Sequence, residues 1–142
     1  VTITTDIVVK LPLIKITVYS FKHESLERWK GGKLLELSST TNDDGNPHQL
    51  ETDSKGVLPA SLWNDDIVGK AQLLNTIDGK IMSIRVADLG KEPVVTKRGN
   101  VSARHYQLSG DLARDLWYDD GGNLAQVVFK ADDGSKVTYI RK

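Results

Sequence analysis

Tight turns divide this chain at short intervals, and they limit its fold more than any other feature. Glycine-containing turns separate runs rich in β-branched or aromatic residues at Gly31-Gly32, Asp44-Gly45, Asp78-Gly79, Asp120-Gly121-Gly122 and Asp133-Gly134. Asp-Gly and Gly-Gly sequences supply the positive φ angles that tight hairpin turns need. We therefore predict that each turn joins two antiparallel strands.

The runs between these turns alternate with a period of two, which is typical of strands buried on one side. In the run before the first turn, one face carries Tyr19, Phe21, His23, Ser25, Glu27 and Trp29. Helix is poorly supported, because apolar residues nowhere recur at helical spacing for three turns. We predict strands at 1–9, 13–29, 34–42, 47–52, 80–88, 102–109, 113–118, 124–131 and 136–141.

The predicted fold class is all-β, with a single curved antiparallel sheet that closes into a half-barrel or small barrel. Residues 1–142 are predicted to form one β-barrel-like domain, a size near the common mode for domains. Segment 59–76 is the exception to the alternation, and it opens with Pro59 and Ser61. Because a strongly curved sheet must close or be covered, we predict that this segment is a loop or short-helix plug over the concave face.

Composition excludes several classes of function. Lys plus Arg and Asp plus Glu both number 19, so the net charge is zero, and a broad nucleic-acid interface or a polybasic membrane-binding surface is not expected. The absence of cysteine excludes disulfides, zinc-thiolate sites, iron–sulfur clusters and thiol nucleophiles. The longest nearly uncharged stretch, 11–20, contains Lys15 and is too short to span a membrane. We predict no cofactor and no membrane-spanning segment.

The histidines do not form a recognisable metal or catalytic motif. His23, His48 and His105 lie in different segments without metal-ligand spacing, although His23 and His105 could converge in space with Glu27. No Gly-x-Ser-x-Gly sequence is present, and a Ser–His–acid arrangement from distant segments stays open. We predict no catalytic and no metal-binding residue, and we interpret Glu27 and Arg104 as an example of a cross-strand ion pair.

The large aromatic residues are the candidate ligand-binding residues. They either fill the core of a curved sheet or line an apolar cavity for a hydrophobic ligand. The six residues assigned to this site are Trp29, Trp63, Trp117, Tyr19, Tyr106 and Tyr118.

Several blocks of the sequence resemble the bacterial DUF6134 family. In chain order these blocks begin at Tyr19, Thr40, Leu58, Leu73, Tyr106 and Asp115, and they include Thr40-Thr41-Asn42-Asp43-Asp44-Gly45-Asn46-Pro47 and Asp115-Leu116-Trp117-Tyr118-Asp119. The resemblance covers the chain from about Val9 onward. It implies an exported protein of unassigned function with a β-rich, half-barrel-like body, similar in outline to the DUF3108 group and more loosely to lipoprotein-carrier half-barrels. The resemblance supplies no catalytic residue.

This family resemblance also sets expectations about location and completeness. The chain begins with Val1, so we expect a removed signal peptide and a periplasmic or secreted protein. The family pattern leads us to expect one or two more strands before the Tyr19 block and a further hairpin near 52–58, so the chain is either a compact member or lacks these segments.

The leading functional hypothesis is a non-enzymatic exported protein that binds a hydrophobic small molecule or lipid in the concave sheet. The alternatives are an accessory or interaction subunit of a periplasmic assembly, which would bind a protein partner, and an uncharacterised hydrolase. A metal-dependent form of the last would be built around His23 and His105.

Overall fold

The computed structural model of the chain describes residues 1–10, 17–131 and 134–141. Strand makes up 70% of the structure, and its described part contains no α-helix, which confirms the all-β fold class. The strands are β1 (Thr2–Lys10), β2 (Thr17–Lys30), β3 (Lys33–Asp43), β4 (Asn46–Asp53), β5 (Leu58–Pro59), β6 (Gln72–Leu74), β7 (Ile81–Thr96), β8 (Gly99–Gly110), β9 (Arg114–Asp119), β10 (Leu124–Lys130) and β11 (Lys136–Ile140).

All nine predicted strands are present, although residues 13–16 of the second one lie outside the described residues. The strand predicted at 80–88 continues to Thr96, where a turn at Lys97 and Arg98 leads into β8. That turn escaped prediction because it contains no Asp-Gly or Gly-Gly pair, and its positive φ falls on Gly99 at 112°. The two short strands β5 and β6 were also missed, since two or three residues cannot display a period.

The chain divides into two compact units. The first unit, residues 1–61 and 74–81, contains a flat antiparallel sheet with strand order β1-β2-β3-β4. The predicted hairpin turns at Gly31-Gly32 and Asp44-Gly45 join β2 to β3 and β3 to β4. An apolar cluster of Leu34, Leu37 and Leu74 forms part of its core.

The second unit, residues 62–73 and 82–142, contains the predicted half-barrel. Its strands follow the order β11-β10-β9-β8-β7-β6, and this sheet curls through 193°. Register shifts at Asp88/Gly90 and Leu124/Gln126 mark β-bulges, which bend and twist a strand. Another apolar cluster joins Val94, Ala103, Trp117 and Ala125.

The expectation of a single sheet therefore needs correction, because β1–β4 form a flat sheet that is separate from the half-barrel. The four strands pair only with their neighbours in sequence, and the chain leaves β4 at Asp53 through a turn in which Val57 N–H donates to the Ser54 carbonyl at 2.9 Å. This turn occupies the place where a further hairpin was expected. The prediction of one domain over 1–142 stays a prediction.

Segment 59–76, predicted as a loop or short helix, contains one 3₁₀ turn, Asp65–Ile67. Residues 62–73 of this segment belong to the second unit and bond to β9 and β10 there. Asp65 N–H donates to the Gly122 carbonyl at 3.1 Å, and Leu124 N–H donates to the Trp63 carbonyl at 3.2 Å. The assignment of this segment as a plug over a concave face stays a prediction.

Candidate functional site

The face of β2 and β3 that is buried in the first unit is unusually polar. The predicted alternation is correct, since the side chains at 23, 25 and 27 are buried while those at 22, 24, 26 and 28 are exposed. What the alternation did not indicate is the chemistry of the buried face. Its buried polar members are His23, Ser25, Glu27, Ser39 and Thr41, and we call them the polar face.

His23 is held on this polar face by two threonine hydroxyls. Its Nδ1 lies 2.7 Å from Thr41 Oγ1 and its Nε2 lies 3.3 Å from Thr76 Oγ1. Burial lowers the pKa of His23 from its ordinary value, because the charged imidazolium loses hydration. Ser39 Oγ donates to the Thr76 carbonyl, which ties the same loop to β3. This arrangement satisfies buried polar groups and requires no ligand.

Glu27 and Arg104, interpreted from the sequence as an example of a cross-strand ion pair, lie in different units, and their pairing stays a prediction. Glu27 is 1% exposed in the first unit, and its carboxylate accepts a hydrogen bond from Trp29 Nε1 at 3.0 Å. Arg104 Nε donates to Asp88 Oδ2 at 2.8 Å in the second unit. The bulged register of β7 and β8 places Asp88 opposite Tyr106, beside Arg104 on the same strand face.

His105 lies in the second unit between two carboxylates. Its ring stacks on Trp117 with centroids 4.1 Å apart, and its Nε2 lies 2.8 Å from Asp115 Oδ1. Its Nδ1 lies 3.6 Å from Glu92 Oε1, which also accepts a hydrogen bond from Trp117 Nε1. Each of His23 and His105 thus has partners inside its own unit. Within residues 1–10, 17–131 and 134–141, no group of three or more His, Asp or Glu side chains could hold a metal ion.

Two of the six predicted aromatic residues lie in the first unit, near opposite ends of β2. The Tyr19 hydroxyl donates to Asp43 Oδ1 at 2.7 Å. Trp29 packs against the cluster of Leu34, Leu37 and Leu74. Both rings are half-buried, and both help to join β2 to its neighbours.

The other four lie in the second unit, where alternation separates them between two faces of the sheet. Trp117 is 8% exposed and belongs to the apolar cluster on one face. Tyr106 and Tyr118 lie on the opposite face with ring centroids 6.2 Å apart, and the Tyr118 hydroxyl donates to the Leu62 carbonyl at 2.9 Å. Trp63 is half-buried in the segment that bonds to β10. Within this unit the four residues therefore do not share one surface, and their ligand-binding role stays a prediction.

Sequence reasoning missed three residues on the face that carries Tyr106. The register places Tyr106, Leu116, Val127 and Tyr139 in one row, and Arg114 and Phe129 lie in the next row of the same face. The Arg114 guanidinium carbon lies 4.0 Å from the centre of the Phe129 ring, and the Phe129 and Tyr139 centroids are 5.7 Å apart. We call Tyr106, Arg114, Phe129 and Tyr139 the aromatic face.

The signal for this aromatic face was present in the sequence. Val127 and Phe129 are two residues apart in one run, and Val137 and Tyr139 are two residues apart in the next, so the period of two places each pair on one side of its strand. The sequence did not indicate the strand register, which brings Phe129 and Tyr139 together and adds Arg114 from β9. All four members of the aromatic face are half-buried.

Two shallow hollows lie on the first unit. One has a volume of about 460 Å³ and is lined by Leu35, Glu36, Glu51, Thr52 and Asp53. The other has a volume of about 480 Å³ and is lined mainly by polar and charged side chains of β1–β4, His23 and His48 among them. Neither contains a predicted aromatic residue, and both differ from the apolar clefts that bind hydrophobic ligands.

The fold defines this chain as an all-β protein whose second unit is a half-barrel. The chain belongs to the DUF6134 family, described as a domain of unknown function, and the family model matches residues 1–142. No curated protein and no solved structure matches the chain significantly. The described ranges contain no helix that is long and apolar enough to cross a membrane.

Proposed function

We propose that this protein is a non-enzymatic exported protein that binds a hydrophobic small molecule or lipid on the aromatic face of its half-barrel. The observation that carries the proposal is the half-burial of Tyr106, Phe129 and Tyr139 on one face of a strongly curled sheet. Curved sheets with aromatic side chains on one face are a common way to hold a small apolar ligand. Export rests on the family resemblance.

A binding role agrees better than an enzymatic role with the surroundings of the histidines. His23 is 8% exposed and both of its ring nitrogens lie near threonine hydroxyls. Both threonines are 9% exposed or less and their hydroxyls lie within hydrogen-bond distance of the ring, which agrees with a structural role for His23. The partners of His105 in the described chain are carboxylates and an indole ring, so this site lacks the hydroxyl nucleophile that a Ser–His–acid hydrolase needs.

The two phenylalanines provide a matched test, because each is half-buried and each lies in a different unit. N-phenyl-1-naphthylamine, an uncharged apolar probe, would be titrated into the purified protein and its fluorescence recorded. Phe129→Ala is expected to weaken probe binding about tenfold or more, since a buried aromatic contact of this size contributes roughly 1.5–3 kcal/mol. Phe21→Ala, on the flat sheet, is expected to leave the affinity within about twofold.

Equal loss of binding in both variants, or no loss in either, would count against the proposed surface. Native mass spectrometry of protein purified from its host adds an independent check. A co-purifying lipid or small molecule would support the proposal and reveal the ligand. A ligand-free protein that co-purifies with another polypeptide would favour an accessory subunit instead.

A further inference from the structure

We propose that the ligand of the aromatic face is a single-chain amphiphile with a carboxylate head, and that Arg114 binds this head. The inference rests on the proposed function and deepens it, because it identifies the chemical class of the ligand and a residue that selects it. The strand register places two arginines, Arg114 and Arg104, on this face of the half-barrel.

Both arginines point to the same face, but among the residues that the structure describes only Arg104 has a carboxylate partner. Arg104 lies opposite Tyr118 and Arg114 lies opposite Leu108, and Tyr118 and Arg114 are four residues apart on β9. Arg104 forms an ion pair with Asp88 at 2.8 Å. Within the described ranges, no carboxylate forms an ion pair with Arg114, whose Nη1 donates to the Ala113 carbonyl at 2.7 Å.

The surroundings of Arg114 are apolar and aromatic. Its guanidinium lies over the Phe129 ring, and Leu108 opposite it is 2% exposed. Burial lowers the pKa of Arg114 from its ordinary value, because the cation is partly removed from water. The guanidinium has five N–H donors, and it is half-buried without an acidic partner among the described residues, so a bound anion would compensate for the hydration that it has lost.

The position of this charge defines the ligand. A guanidinium presents a planar pair of donors that matches the two oxygens of a carboxylate. A single cation complements a single negative charge, whereas the adjoining side chains Tyr106, Phe129 and Tyr139 offer apolar surface to a hydrocarbon tail. A monoanionic head on an apolar chain, as in a fatty acid, combines both features. The stacking of Arg114 on Phe129 holds the head-binding group in a fixed orientation.

Two ligands with the same tail separate the contribution of the head from that of the tail. Dodecanoate and dodecanol would be titrated against the full chain by isothermal calorimetry at pH 8. The expected result is that the wild-type protein binds dodecanoate about 10- to 100-fold more tightly than dodecanol, the range for a hydrogen-bonded ion pair that is partly removed from water. Arg114→Gln is expected to bring this ratio close to one, since glutamine keeps a planar polar end without the charge.

Arg104→Gln is the matched control, because it removes a charge from the same face that Asp88 already neutralises. This variant is expected to keep the wild-type ratio within about twofold. Arg114→Lys retains the charge but lacks the planar pair of donors, so it is expected to keep only part of the preference. It also tests the proposal if the glutamine variant does not fold.

The outcomes distinguish this inference from the proposed function on which it rests. If the folded wild-type protein binds neither ligand, both proposals are wrong. If it binds the two ligands equally, or if Arg114→Gln keeps the preference for dodecanoate, the aromatic face binds apolar ligands but Arg114 only packs on Phe129. If Arg104→Gln abolishes the preference as Arg114→Gln does, selection comes from the general positive charge of the face and not from Arg114.

Discussion

The two units share the same strand alternation, but the first unit buries many more polar side chains than the second. In the half-barrel, the apolar residues Ala103, Leu108, Leu116 and Val127 are each 5% exposed or less. In the flat sheet, the equally buried polar face contains His23, Ser25, Glu27, Ser39 and Thr41. A period of two therefore indicates that one side of a strand is buried, but it does not indicate that the buried side is apolar.

The difference matters because the two interiors gain stability in different ways. Burial of aliphatic carbon stabilises the half-barrel in proportion to the area removed from water. The polar face gains little from burial, and its hydrogen bonds contribute a net of roughly 1 kcal/mol each while fixing where the strands and the 75–80 loop meet. We interpret the polar face as a source of structural specificity, as in other buried polar networks.

The largest loss of stability is expected for Leu116→Ala in the half-barrel. Leu116 is 0% exposed, so the substitution removes buried methyl groups and leaves a cavity. We expect the free energy of unfolding to fall by about 2–5 kcal/mol in urea denaturation. The control is Leu89→Ala, where the side chain is 54% exposed, and a change there above about 0.5 kcal/mol would be unexpected. A small effect at Leu116 would contradict the description of this interior as close-packed.

Alanine substitutions of one glycine in each unit should lower stability by different amounts. At Gly110, φ is +100° and an added Cβ would lie 2.5 Å from the Ser83 carbonyl oxygen, so Gly110→Ala combines backbone strain with a clash. At Gly45, φ is +92° but no atom lies within 4 Å of the added Cβ. We expect a loss of about 2–4 kcal/mol at Gly110 and of about 1–2 kcal/mol at Gly45 from strain alone. Thermal unfolding measures both, and equal losses would show that the clash at Gly110 relaxes.

A smaller effect is expected on the pH dependence of stability, through His23 on the polar face. The pKa of His23 is lowered in the folded state. Near and below pH 6.5, its ordinary pKa, the imidazole therefore binds a proton more readily in the unfolded chain than in the folded one. Stability is therefore expected to fall as the pH drops from about 7.5 to about 5.5. In His23→Gln this part of the pH dependence should disappear, whereas it should persist in His48→Gln, where the replaced side chain is exposed. Denaturation of all three proteins at several pH values measures the slopes, and identical slopes would contradict the assignment.

The smallest effect is expected for Ser25→Ala on the same polar face. Ser25 is 1% exposed, and within the described chain no hydrogen-bond partner lies in reach of its Oγ. Removing this hydroxyl should leave stability unchanged or raise it by up to about 1 kcal/mol. Ser39→Ala, which removes the donor to the Thr76 carbonyl, should instead lower stability by about 1 kcal/mol. Urea denaturation compares the two variants, and a clear loss at Ser25 would indicate a partner that this structure does not assign to it.

Much of the fold was predictable because it depends on local chemistry. The turns at Gly31-Gly32 and Asp44-Gly45 have φ values from 50° to 92°, as tight hairpins require, and the strands on either side were predicted within a few residues. The turn at Lys97 and Arg98 was missed because its only glycine, Gly99, is not part of an Asp-Gly or Gly-Gly pair. The candidate site was less predictable, since Arg114, Phe129 and Tyr139 come from three strands and only their register joins them.

The sequence by itself determined the class of fold, the approximate positions of nine strands and which side chains share a side of each strand, since turn preferences and the period of two act over a few residues. The tertiary structure decided that β1–β4 form a flat sheet separate from the half-barrel, and that His23 and His105 belong to different units. It also decided that Arg104 has a carboxylate partner, whereas none of the carboxylates in the described part of the chain forms an ion pair with Arg114. These features depend on strand register and on contacts between residues far apart in sequence, which no local pattern encodes.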